Sequence, residues 1–125
     1  MENERQVLSV LPKNLTPFGI TNEDQANLDW IDIDKLNKVV EFVKKNFKKI
    51  DIYQKWCTSY HLKHIAETRL GFYLENGYMI AAMIIAGFEY KRAGAKSPNA
   101  WHKVSKRSVK TVNRENRNIP KPATV

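Results

Sequence analysis

The chain has 125 residues, of which 42% are hydrophobic and 27% are charged. This length and composition are typical of one globular domain and exclude a wholly disordered chain. The formal net charge is +8, and it is concentrated in residues 91–125, which hold ten Lys or Arg and a single acid, Glu115. Such an uneven distribution indicates an anionic partner.

The sequence carries no pattern of export or membrane insertion. The one cysteine, Cys57, excludes an internal disulfide. At the start of the chain, acids precede a short apolar run, which is the wrong order for a signal peptide. The longest apolar run, residues 79–86, is too short to cross a bilayer. We therefore expect a cytoplasmic protein without a membrane partner.

Residues 1–28 are predicted to form an irregular N-terminal arm. Their apolar positions are scattered, and Pro12, Pro17 and Gly19 interrupt them, so no helical or strand period is sustained. We expect this arm to lie on the body of the protein.

Residues 29–90 are predicted to form a helical core domain, and its first helix begins near Asp34. Asp32 or Asp34 can cap the helix, and the lysines that follow suit its negative end. One helical face carries the apolar residues Leu36, Val39, Val40, Val43, Phe47 and Ile50.

A second helix is predicted to follow, with Thr58 or Ser59 as its cap and Gly71 as its stop. Its inner face would hold Leu62, Ile65, Ala66 and Leu70.

Residues 72–88 allow two interpretations. Asn76 followed by Gly77 is a strong hairpin turn pattern. The alanines and methionines after it, closed by Gly87, favour a buried helix capped by Asn76. A helix so apolar on all sides belongs in the core or in a dimer interface, so a homodimer is possible.

Residues 91–125 are predicted to form a basic C-terminal segment, in which Gly94, Ser97 and Pro98 mark a linker. From Asn99 we expect a helix or an extended arm, and the last ten or so residues are expected to be disordered. If helical, one face would carry Trp101, Val104, Ser108 and Val112, and the other would carry Lys103, Lys106, Arg107, Lys110 and Arg114.

The basic face is the best candidate for function, because a row of cations matches a phosphate backbone. Trp101 could pack the segment on the body or stack on an unpaired base. The predicted nucleic-acid contacts are Lys103, Lys106, Arg107, Lys110, Arg114, Trp101, Lys91 and Arg92. We expect DNA more than RNA. Two other interpretations stay open: a basic face that binds a protein, and a solvated tail without a partner.

Other functional patterns are weaker. A helix-turn-helix would need polar residues on its reading helix, and residues 78–86 have no charge. Cys57, His61 and His64 could share a face and bind zinc, but they lack a fourth ligand. Asp29, Asp32 and Asp34 are explained by helix capping. We therefore predict no catalytic residue, metal or cofactor, and no enzymatic activity.

One segment resembles a known group. It runs from residue 58 to 108 and contains Ser59-Tyr60-His61-Leu62-Lys63-His64, then Asn76-Gly77, Ile80-Ala81-Ala82, Gly87-Phe88 and Ser97-Pro98-Asn99-Ala100. This order is similar to that of short uncharacterised proteins of prophages and plasmids. The resemblance implies a phage or mobile element, whose small basic proteins bind nucleic acid or inhibit a host defence complex.

The function predicted from these observations is that of a non-enzymatic nucleic-acid-binding accessory protein, acting in the host cytoplasm if phage-encoded. The alternative is a protein-interaction module, such as an inhibitor of a host nucleoprotein defence complex or an assembly factor.

Overall fold

The computed structural model of the protein describes residues 8–24 and 27–120. These ranges are rich in helix and also hold two small antiparallel sheets, which confirms the predicted mainly helical domain. The helices are α1 (Ile33–Asn46), α2 (Ser59–Leu70), α3 (Asn76–Ile85) and α4 (Lys106–Asn116). The strands are β1 (Leu15–Thr16), β2 (Gly19–Ile20), β3 (Tyr90–Arg92) and β4 (Ala100–His102).

The helix α1 begins as its sequence predicts but ends earlier. The Asp32 carboxylate accepts hydrogen bonds from the backbone N–H groups of Asp34 and Lys35 and so caps the helix. The predicted continuation to Ile50 is wrong, because the chain becomes extended at Phe47. The Ile50 N–H then donates to the carbonyl of Lys103 at 3.1 Å. This bond ties the end of α1 to the C-terminal segment.

The helices α2 and α3 confirm their predictions. Gly71 ends α2 in the left-handed conformation, at φ 81°, which glycine adopts without strain. Residues 76–83 are all buried in α3, so the helix is confirmed and the hairpin is not formed. The cap residue is Glu75, one position before the predicted Asn76.

Asn76 and Gly77 allow the start of α3 to pack closely against the N-terminal segment. The Asn76 side-chain amide donates to the carbonyls of Phe18 and Pro98, while the Gly77 N–H donates to the carbonyl of Pro17 at 2.9 Å. A Cβ atom at Gly77 would collide with the β1–β2 hairpin. Glycine is needed here because two backbones meet, not because the chain turns.

One hydrophobic core unites the described ranges. The helix α3 packs against both α1 and α2, and α4 packs against α2. Leu11, Leu15 and Ile20 enter the core from the N-terminal segment, and Val109 and Val112 enter it from α4. The β1–β2 hairpin and α4 are therefore both anchored to the hydrophobic core.

Of the helix or extended arm expected from Asn99, the structure has a helix only from Lys106 onward. Residues 90–92 and 100–102 pair as an antiparallel hairpin, and α4 begins only after Ser105, whose Oγ accepts from the Ser108 N–H. Side chains alternate along a strand, so His102 is fully buried while Trp101 stays partly exposed. Neither Trp101 nor Lys103 belongs to a helix.

The predictions for the chain ends fall partly outside the described ranges. Residues 1–7 of the N-terminal arm and residues 121–125 of the predicted disordered end lie outside them. Among the others, Asn116 is buried within α4, and the Asn118 and Ile119 N–H groups bond back to the last turn.

Candidate functional site

The exposed face of α4 carries five cations: Lys106, Arg107, Lys110, Arg114 and, just past its end, Arg117. None of them forms an ion pair with a residue in the described ranges. The only acid of the helix, Glu115, bonds to Arg69 of α2 instead, at 3.4 Å. This face therefore keeps its positive charge for an external anion.

The loop between α1 and α2 places Trp56 beside this face. The Trp56 side chain is 39% exposed. The Nζ atoms of Lys106 and Lys110 lie 5.3 and 5.5 Å from the centroid of its ring, which is within cation–π range. Two lysines one helical turn apart thus contact the same indole.

The outward face of the β3–β4 hairpin adds a second indole. Lys91 is the register partner of Trp101, so both side chains lie on one face of the hairpin. Lys55, the neighbour of Trp56, places its Nζ 4.9 Å from the Trp101 ring centroid. The loop residues 55 and 56 therefore connect the hairpin to α4.

Lys103 lies between β4 and α4 in the chain, and its charge is already paired with an acid. Its Nζ lies 2.9 Å from a Glu89 carboxylate oxygen and 5.3 Å from the Tyr53 ring centroid. The hydrogen bond to Glu89 raises the pKa of Lys103, so the ammonium stays charged at neutral pH. The ion pair leaves Lys103 a weaker phosphate ligand than the lysines of α4.

Arg92 is placed differently from the other predicted contacts. Its guanidinium donates to the Ser97 carbonyl and to the Asn22 side chain at 2.6 Å each, and to the Ile20 carbonyl at 3.3 Å. These bonds fasten β2 to the β3–β4 hairpin and engage most of the donors of Arg92 within the chain.

A surface groove of about 480 Å³ opens next to Trp56. It is lined by Lys55, Trp56, Cys57, Thr58, Tyr60, His61 and His64. The rings of Trp56 and His61 are 5.4 Å apart between centroids, and those of Tyr60 and His64 are 4.7 Å apart. Aromatic faces and edges therefore form much of the groove.

The groove holds one cysteine, Cys57, and two histidines, His61 and His64. Burial raises the pKa of the Cys57 thiol, so the thiol is protonated at neutral pH and is a poor nucleophile. Among residues 8–24 and 27–120, no three His, Cys, Asp or Glu side chains are grouped so as to hold a metal ion.

Part of this surface was not predicted from the sequence. Trp56, Lys55 and Arg117 were not selected, although all three are exposed. Lys48, one of the lysines that follow α1, bonds through its backbone to Ser105 and Ser108 at the start of α4, which the sequence did not predict. An exposed tryptophan beside a lysine could have suggested Trp56, but its contact with α4 depends on the fold.

No family model, curated protein or solved structure matches this chain. Within the described ranges, no helix combines the length and the apolar character that crossing a bilayer requires.

Proposed function

We propose that this protein is a non-enzymatic nucleic-acid-binding protein that contacts phosphates through the exposed face of α4. The observation that carries the proposal is the set of five cations on this face that have no acidic partner among the described residues. Phosphate contacts from Lys and Arg supply most of the affinity of such proteins. Cations four residues apart on α4, such as Lys106 and Lys110, are separated by about 6 Å along the helix axis, so one strand can contact several of them.

Two further features support this proposal. Lys48 is an exposed lysine whose backbone N–H donates to the Ser108 hydroxyl of α4, so a cation from outside the helix lies beside its first turn. The aromatic rings of Trp56 and Trp101 lie beside lysines, a combination that suits nucleic acid better than a purely basic surface.

The setting is part of the same proposal. The resemblance to prophage and plasmid proteins supports an accessory protein of a phage or mobile element, acting in the host cytoplasm with DNA as its preferred partner. The proposal includes no catalytic step.

A protein-interaction module is the second candidate, and exposed apolar side chains favour it. Phe18 is 84% exposed, Ile52 68% and Tyr73 67%. Such residues anchor protein interfaces when they are buried by a partner. On this alternative the protein inhibits a host nucleoprotein defence complex or assists an assembly, and its basic face occupies a groove meant for nucleic acid.

The test is a fluorescence-anisotropy titration of labelled single-stranded and duplex DNA at low salt, with an RNA strand in parallel. The variant Arg107→Gln/Arg114→Gln removes two exposed cations whose side chains form no ion pair with the described residues. The control Lys13→Gln/Lys96→Gln removes the same charge from exposed residues outside α4.

We expect the α4 variant to bind at least about ten-fold more weakly than the control, since each lost phosphate contact removes counterion release. Equal binding by both variants would show that α4 is not the binding surface. If the unmodified chain binds no nucleic acid at all, the protein-interaction candidate replaces this proposal.

A further inference from the structure

The groove beside Trp56 has the composition of a stacking site. Rings from Trp56, Tyr60, His61 and His64 line it, and its volume of about 480 Å³ falls in the range of pockets that accept small organic ligands. Tyr60 is 51% exposed, so a planar ligand can reach the rings from solvent.

The groove also adjoins the cationic face. The Trp56 ring is flanked by His61 on the groove side and contacted by Lys106 and Lys110 from α4. A strand whose phosphates lie on α4 therefore has its bases within reach of the groove. Lysine stems are flexible, so each Nζ can move from the ring to a phosphate when a base approaches.

We infer that this groove accepts an unpaired base, and that the protein therefore prefers single-stranded to duplex nucleic acid; this inference depends on the proposed phosphate contacts of α4. Every base has a π-face that stacks on an aromatic ring. In a duplex, the bases are already stacked and paired, and entry into the groove would require flipping a nucleotide out of the helix.

The histidines extend the site beyond stacking. His64 lies on the exposed surface with its Nδ1 3.1 Å from a Glu67 carboxylate oxygen, which orients the ring and leaves Nε2 for a ligand. Stacking in the groove therefore tolerates any base, and the Nε2 of His64 is available to bond to a base edge.

The test compares three ligands with equal numbers of phosphates: a thymidine strand, an abasic strand and a duplex. The unmodified chain needs no substitution for this comparison. We expect it to bind the thymidine strand at least about five-fold more tightly than the abasic strand, the size of one stacking contact, and more tightly than the duplex.

Two leucine variants assign the contact. Trp56→Leu keeps apolar bulk but removes the indole, and we expect it to abolish most of the preference for bases. Trp101→Leu removes the partly exposed indole of the β3–β4 hairpin and tests whether the base contacts the hairpin instead, so we expect its effect on the preference to be the smaller one. Circular dichroism checks that both variants are folded.

Equal binding to the thymidine and abasic strands overturns the inference. If the two strands bind equally and Arg107→Gln/Arg114→Gln lowers the affinity for both, phosphate binding by α4 is supported and base stacking is not. Loss of the preference in Trp101→Leu alone also overturns the inference, since the base would then contact the hairpin. Absence of binding to all three ligands overturns both proposals.

Discussion

The Nζ of Lys110 lies 5.5 Å from the ring centroid of Trp56, and this contact joins two segments that are more than fifty positions apart in the sequence. Lys106, one turn earlier, contacts the same ring at 5.3 Å. The pair positions the loop between α1 and α2 against the cationic face of α4. Aromatic and basic groups therefore form one surface, although the sequence separates them.

The first prediction concerns the salt dependence of binding. We expect Lys106→Gln/Lys110→Gln to make the slope of log K against log salt shallower by about 1.4 on a single strand, about 0.7 for each lost phosphate contact. Anisotropy titrations across several salt concentrations measure this slope. An unchanged slope, with Lys13→Gln/Lys96→Gln as the control, would show that these lysines do not contact phosphate.

The second prediction separates Arg92 from its neighbour Lys91. Arg92→Gln removes hydrogen bonds to Ser97, Asn22 and Ile20, so we expect it to lower the free energy of unfolding by about 1–3 kcal/mol. Lys91→Gln changes an exposed side chain and should cost less than about 0.5 kcal/mol. Urea denaturation measures both values.

We expect the opposite order for binding: Lys91→Gln should have the larger effect and Arg92→Gln the smaller. Lys91→Gln is expected to weaken oligonucleotide binding, while Arg92→Gln keeps its affinity at temperatures where it is folded. If folded Arg92→Gln binds oligonucleotide more weakly, Arg92 contacts nucleic acid and this prediction is wrong.

The third prediction concerns the attachment of α4. Asn116 donates from Nδ2 to the carbonyl of Ile65 at 3.0 Å and accepts from Arg69 at 3.1 Å. We expect Asn116→Ala to lower the free energy of unfolding by about 1–3 kcal/mol, because a buried carbonyl loses its donor. Chemical denaturation checks this value.

The matched control is Asn113→Ala, in the same helix but exposed. It should change stability by less than about 0.5 kcal/mol. Equal effects of the two substitutions would show that the bond between α4 and α2 contributes nothing specific.

The fourth prediction is a pH dependence that arises from His102. Its side chain is fully buried, and this burial lowers the pKa of His102 from 6.5 to about 4. The backbone of Glu89 acts in the opposite direction, but neither ring nitrogen has a hydrogen-bond partner among the described residues. Between about pH 4 and pH 6.5, the His102 imidazole is therefore neutral in the folded protein and protonated in the unfolded chain.

Stability from this difference is fully present above about pH 6.5 and is lost progressively as the pH falls toward about 4. Lowering the pH from about 7.5 to about 5 should cost roughly 2 kcal/mol through this one group. We expect His102→Leu to remove that loss, as measured by urea denaturation at both pH values. His61→Leu, at an exposed position, should leave the loss in place, and an equally pH-sensitive His102→Leu would contradict this account.

Much of the helical body was predictable because its determinants are local. The cap at Asp32, the stop at Gly71 and the apolar residues of α1 act through neighbours within a turn or two. The preference for a helix over a hairpin at residues 76–85 followed from composition in the same way.

The helical interpretation of the segment from Asn99 holds only from Lys106, because residues that fit a helical face can also alternate along a strand. Trp101 and Val104 fit a helical spacing with Ser108, yet β3 provides hydrogen-bond partners for residues 100–102. Pairing with a distant segment outweighed the local pattern. Because residues 100–102 form a strand, Lys103 precedes α4 and lies outside its cationic face.

The sequence alone determined which residues carry the charge and that an anionic partner is expected, because net charge depends on composition and order. Only the tertiary structure decided which cations are free, since Arg92 and Lys103 find partners that are distant in the chain. It alone also placed Trp56 beside Lys106 and Lys110. Contacts of this kind form when the core brings α4 against α2, and no local pattern encodes them.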